Sequence, residues 1–162
     1  MALTHRLTLI RRRALLIGAL CAPLLAAPIA AQADAALDSA ARKAALAFMK
    51  ALRKKDIAAA LQFIDAPFVA EDAQLLATEA DVKAYLADML AHADPAELPN
   101  EVLAILDYDQ SRAATAEQAR KLRDAVLDRG DLLVATGRNG LSRGVLLVKC
   151  GGGKPVVVGV GY

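Results

Sequence analysis

Four side chains of types that move protons stand out in the chain: Tyr85, His92, Asp107 and Asp109. His92 follows Tyr85 by two helical turns, so both project from one side of a helix, with Asp88 one turn before the histidine. A tyrosine, a histidine and a carboxylate gathered in a cavity could act as general acid and base. The competing reading is a solvated histidine near a helix C-terminus, where the dipole favours a cation. Asp107 and Asp109 flank Tyr108. In an extended strand positions two apart share a face, so the two carboxylates could titrate as a pair with one pKa raised. A turn accounts for them equally, because "EVLAILDYD" runs there into the polar "DQSRAA".

The C-terminal "KCGGGKPVVVGVGY" raises two further chemistries. A phosphate-cradling loop needs G-x-x-x-x-G-K-[ST] opening a helix. Val148 occupies the first glycine position, Pro155 follows Lys154 and a strand comes next, so the glycines read as a hairpin turn. Cys150 needs a base or a cationic neighbourhood to become a nucleophile. No histidine lies near it in sequence, and strand alternation turns Lys149 to the opposite face, which leaves a passive strand-end thiol. In the last strand Val156, Val158, Val160 and Tyr162 are expected on one face, with Val157, Gly159 and Gly161 on the other. The two glycines leave that second face open to close approach by a helix, a ligand or another subunit. Thr136 and Arg138 share a strand face with Leu132 and Val134. Arg138 could hold an anionic group there or be a solvated strand-end arginine.

These residues must be positioned by elements that the hydrophobic pattern outlines. In "DSAARKAALAFMKALRKKD" Leu37, Ala41, Ala45, Phe48 and Leu52 recur at steps of three and four, predicting a helix over about 38–54 capped by Asp38 or Ser39. Arg42, Lys43, Lys50, Arg53, Lys54 and Lys55 fall mostly off that stripe, as a solvated face. Asp56 is placed to cap a short helix through "IAAALQFI", with Pro67 breaking it, and "APFVAEDAQLLAT" reads as an extended excursion or hairpin. Thr78 and Asp81 form a capping box for a third helix with Val82, Tyr85, Leu86, Met89 and Leu90 as its stripe, ended by Pro95. "EVLAILDYD" reads as a buried strand. Thr115 opens another capping box and a helix running to Gly130, and three strands follow from Asp131, separated by "NGLS" and "GGG" turns.

Ahead of this domain, residues 1–33 carry Arg6, Arg11, Arg12 and Arg13, no acid, and then an apolar run ending in Ala31-Gln32-Ala33. That is the pattern of a secretory signal peptide cleaved after Ala33, leaving residues 34–162 as a single α+β domain, periplasmic or secreted, that meets the membrane only during export. Pro23 and Pro28 count against a retained anchor. Four of the 20 basic residues and none of the 18 acidic ones lie in the leader, so the remainder has 16 against 18, a formal net charge of −2. A nucleic-acid partner is not expected from that balance. Cys150 and His92 are the only cysteine and histidine after residue 33, so neither a disulfide within the chain nor a Cys/His metal cluster is expected, and no cofactor is implied.

Helices first and strands after them make an α+β layout. The order of helix, short helix, extended segment, helix and strands resembles the nuclear-transport-factor-2-like superfamily, which includes the SnoaL-like proteins. The stretch that carries the likeness is "AALAFMKALRKKDIAAALQFIDAPFV". The helix after Thr115 departs from the pattern as an insertion between strands. The resemblance implies N-terminal helices packed on a curved antiparallel sheet, a cone with an apolar pocket, in a superfamily that holds isomerases, dehydratases, cyclases, binders and dimeric interaction domains. Phe48, Tyr108 and Arg138 are then the candidates for touching a small apolar or amphipathic ligand. Three functions stay open: an exported binding or accessory domain without catalysis, an isomerase- or dehydratase-type pocket enzyme using Tyr85, His92, Asp107 or Asp109, and a homodimer paired through the sheet.

Overall fold

The computed structural model describes residues 27–71, 74–111 and 116–161, with side chains from Ala35 onward. Residues 36–162 make one compact unit. The expected leader falls largely outside the described residues, as do Thr115 and Tyr162.

Helix α1 spans Ala27–Arg53, starting well before the expected Asp38. The reason is local: the segment is rich in alanine, and Pro28 in a first turn costs no hydrogen bond. Ala41, Ala45, Phe48, Met49 and Leu52 form its buried stripe, while Arg42, Lys43, Lys50 and Arg53 on its other side, and Lys54 and Lys55 just beyond it, are exposed. A Schellman motif stops it. Lys55 N–H donates to Leu52 O, Asp56 N–H donates to Ala51 O, and Lys55 takes the left-handed φ of 54° that such an end requires. Asp56 then caps α2, Ile57–Leu61, accepting from the Ala59 N–H.

The short helix ends earlier than Pro67. Ile64 onward belongs to strand β1, Ile64–Ala70, and Pro67 lies inside the strand, where its pairing with the last strand slips between Ile64 and Val69. A proline is tolerated at such an irregularity because no ladder donor is needed from it. Strand β2, Gln74–Leu76, closes the expected hairpin. Helix α3, Glu79–His92, opens on the Thr78/Asp81 capping box and buries Val82, Leu86 and Leu90. Strand β3 is Glu101–Asp107. Helices α4, Tyr108–Ser111, and α5, Glu117–Asp124, are the insertion. Ala116 stands at the N-cap of α5 without a side-chain hydrogen bond, and the helix ends six residues before Gly130. Strands β4, Leu132–Arg138, β5, Leu141–Lys149, and β6, Val156–Gly161, complete the chain. Asn139 and Gly140, both at positive φ, make the β4–β5 turn.

The strands form one sheet in the order β2-β1-β6-β5-β4-β3. The fold is α+β, but the sheet is mixed and not antiparallel throughout, because β1 and β6 run parallel. A hairpin connects strands that follow each other closely, and β1 and β6 are separated by most of the chain, so turn chemistry could not reveal their pairing.

Both faces of the sheet are covered. Leu132, Val134, Leu146, Val148 and Val157 point to the side of α1, α2 and α3, packing with Phe48, Phe68 and Leu86. Val69, Leu133, Leu147 and Val158 point the other way, against Tyr108, Val126 and Leu127 of the insertion. The inserted segment is thus a second layer. Among the described residues no helix is long and apolar enough to cross a membrane.

Candidate functional site

Helix α3 presents Tyr85, Asp88 and His92 along one side, as their spacing requires. Tyr85 hydroxyl donates to Glu71 Oε1 at 3.3 Å, and its ring lies 6.4 Å from that of Phe68. His92 Nδ1 is 2.9 Å from the Asp88 carbonyl oxygen and 3.9 Å from the Asp88 carboxylate, both residues being exposed at the helix end. Tyr85 and Asp88 line an open groove of about 540 Å³ beside β2, with Leu75, Leu76, Ala77 and Asp81. His92 is not among its lining residues. The intrahelical Asp88 contact matches the solvated, dipole-favoured histidine.

Asp107 and Asp109 do not make an extended pair. The strand ends at Asp107 and a helical turn begins at Tyr108, because Asp107 Oδ1 accepts the Gln110 N–H at 3.2 Å and so caps that turn. Asp109 pairs instead with Arg129, 3.7 Å away. Tyr108, a candidate for ligand contact, is buried between the insertion and the sheet, its hydroxyl donating to Asp124 Oδ1 at 2.5 Å. It pins the second layer. Phe48 likewise lies at the centre of the helix-facing core with no exposed surface.

The last strand corrects a face assignment. Opposite β5 the pairing runs Leu147 to Gly159 and Val148 to Val157, so β6 bulges at Val158. Val158 and Gly159 consequently lie on the insertion side, while Val160 joins Val157 among the helix-facing residues. What approaches Gly159 is the sheet itself: a Cβ there would sit 2.7 Å from Leu147 Cδ1 and 2.9 Å from Val69 O. Lys154 leans over the Phe63 ring at 5.3 Å and fastens the glycine turn to the start of β1.

Cys150 is half-buried, and burial first, then the carboxylates of Asp131 and Asp38, push its thiol up to about 11. That opposes thiolate formation and agrees with a passive role. Its backbone N–H donates to Asp131 Oδ1 at 2.7 Å. Asp131, read from the sequence only as the start of a strand, is a buried acid whose other oxygen accepts the Asp128 N–H at 2.7 Å. The one signal for it was an Asp next to a glycine at a strand entry, a pattern shared with ordinary turns.

Leu132 and Val134 face the helices, and the pairing of β4 turns irregular on both sides near Thr136. Thr136 is 1 % exposed and its hydroxyl donates to Gly144 O at 3.1 Å. Arg138 Nη1 is buried and has no hydrogen-bond partner among the described residues. Among the described residues, Tyr85 contacts Glu71, His92 contacts Asp88, Asp107 accepts from Gln110 and Asp109 pairs with Arg129. Among the described residues no three potential metal ligands cluster. Comparison with known proteins finds no matching family model, no similar curated protein and no similar solved structure.

Proposed function

We propose that the chain is an exported, non-catalytic binding or accessory domain of the nuclear-transport-factor-2-like type, its helices and sheet forming a cone that takes a small apolar or amphipathic molecule. The observation that carries this reading is the dispersal of the proton-moving groups. Tyr85, His92, Asp107 and Asp109 hold separate local partners, whereas acid–base catalysis needs at least two of them within reach of one substrate. The helix order and the packing of α1 to α3 on one sheet face support the superfamily likeness. Phe48, Leu86 and Val134 fill the centre of that face.

Two measurements test the proposal. The mass of the exported protein should lack residues 1–33, and an intact precursor outside the cytoplasm overturns the leader. Octan-1-ol should raise the melting temperature of the processed domain, and no shift up to its solubility limit removes the binding reading.

A second reading, a homodimer, has one observation in its favour. Leu103 and Leu106 are 39 % and 49 % exposed on β3, an edge strand of the sheet. Unpaired apolar edges invite a second chain. Sedimentation should then show a dimer that Leu106→Glu converts to monomer, and a wild-type monomer at all loading concentrations ends this reading.

A further inference from the structure

We propose that the outer edge of β2 and the facing side of α3 form a docking groove for an extended segment of another protein, basic and apolar at alternate positions. This goes beyond the small-molecule reading and does not depend on it, since the groove lies at the margin of the sheet and not within the packed helix-facing core. Strand β2 is an edge strand and pairs, among the described residues, with β1 alone. Its outer side therefore offers backbone donors and acceptors that a further strand can take up. The open groove of about 540 Å³ beside it is lined by four consecutive residues, Gln74, Leu75, Leu76 and Ala77. Consecutive side chains of a strand alternate between its faces, so a wall built from all four is the edge of the strand.

The facing wall comes from α3, where Asp81, Ala84, Tyr85 and Asp88 recur at helical spacing. From Asp81 to Asp88 the helix rises about 10.5 Å, which matches about three residues of an added strand. Both ends of that wall are carboxylates, and Tyr85 hydroxyl, donating to Glu71 Oε1 at 3.3 Å, holds a third acid beside the groove. Among the described residues no lysine, arginine or histidine lines it. Asp81 is committed to the Thr78 cap, whereas the exposed Asp88 carboxylate has His92 at 3.9 Å. Side chains of an added strand that point toward α3 meet these carboxylates, which select lysine or arginine. The alternate side chains point to the other face of the sheet. There Leu75, opposite Val69 of the insertion-facing core, is 42 % exposed and offers an apolar contact.

The test titrates the processed domain into a fluorescein-labelled Lys-Val-Lys-Val-Lys peptide at low salt and follows fluorescence anisotropy. Half-saturation should fall below about 1 mM, a weak strand-addition affinity. Glu-Val-Glu-Val-Glu should bind more weakly by about tenfold or more, because its charges face Asp81 and Asp88. The lysine peptide N-methylated at every residue keeps its charge and loses its ladder donors, so its affinity should drop about tenfold. Asp88→Lys should lose about tenfold for the lysine peptide through reversal of a charge on the wall, with Asp88→Asn between it and wild type. Both variants should melt as wild type does, because Asp88 is exposed. An absence of binding by wild type up to about 1 mM overturns the proposal. So does equal binding of the N-methylated peptide, which shows diffuse charge attraction without strand addition, or of the glutamate peptide. Wild-type affinity in both Asp88 variants places the peptide elsewhere and also overturns it. The octan-1-ol result bears on none of these outcomes, so this proposal and the small-molecule reading stand or fall separately.

Discussion

Asp131 is 3 % exposed, and its two carboxylate oxygens each accept a backbone N–H at 2.7 Å, Oδ1 from Cys150 and Oδ2 from Asp128. It thereby ties the exit of the insertion to the end of β5, while its own carbonyl accepts the N–H of Tyr108. Asp131→Ala removes both side-chain acceptors and leaves two amides without their partners. Hydrogen bonds to a charged group contribute about 1.5–3 kcal/mol each. Water entering the vacated space recovers part of that, so the expected loss is about 3 kcal/mol out of the roughly 5–15 kcal/mol that holds a domain of this size. Asp131→Asn keeps one carbonyl acceptor and should lose about half as much. Urea unfolding followed by circular dichroism measures both, provided that the slope with denaturant is unchanged. A second readout is chemical. Asp131 is one of the two carboxylates that raise the Cys150 thiol, so Asp131→Ala should lower that pKa from about 11 while burial, the larger cause, keeps it above its ordinary 9.0. A loss below about 1 kcal/mol for Asp131→Ala would show that these bonds do not hold the insertion in place.

Gly159→Ala should destabilise by about 1–3 kcal/mol, because the new methyl meets Leu147 Cδ1 and the backbone oxygen of Val69, whereas Gly152→Ala, with open space around it, should unfold within about 0.5 kcal/mol of wild type. Equal midpoints for the two variants contradict the bulge at Val158. Cys150 should be alkylated by iodoacetamide at pH 8 about 100-fold more slowly than a free thiol of pKa 9.0, with the rate climbing toward pH 11. The fold favours the protonated thiol, so its contribution to stability is complete below pH 9.0 and is lost as the pH rises toward about 11. Alkylation at the free-thiol rate in the native protein removes this account.

Local signals were legible where one short segment contained all the partners. The Thr78/Asp81 capping box, the Asp56 cap and the Asn139-Gly140 turn each close within a few residues, and each forms as its sequence implies. The site candidates were read on the same local basis and fared less evenly. Tyr85 and His92 do share a helix side, but Asp107 and Asp109 were paired on the assumption that the strand continued through Tyr108. Asp107 itself ends that strand by capping the turn, a competition between side-chain and ladder acceptors that alternation cannot register.

Composition and periodicity therefore determined the class of this chain: apolar stripes of helical spacing first, β-branched runs with turn signals after them, and a basic, acid-free N-terminal segment ahead of both. Only the tertiary structure decided that β1 pairs in parallel with β6, that the insertion covers the second face of the sheet through Tyr108, Val126 and Leu127, and that Arg138 keeps a buried nitrogen without an acceptor among the described residues. The physical reason is range. Caps, turns and stripes are set by neighbours in sequence, whereas strand partners, the burial of a tyrosine or an acid, and the pairing of a charge depend on residues that folding brings from far along the chain.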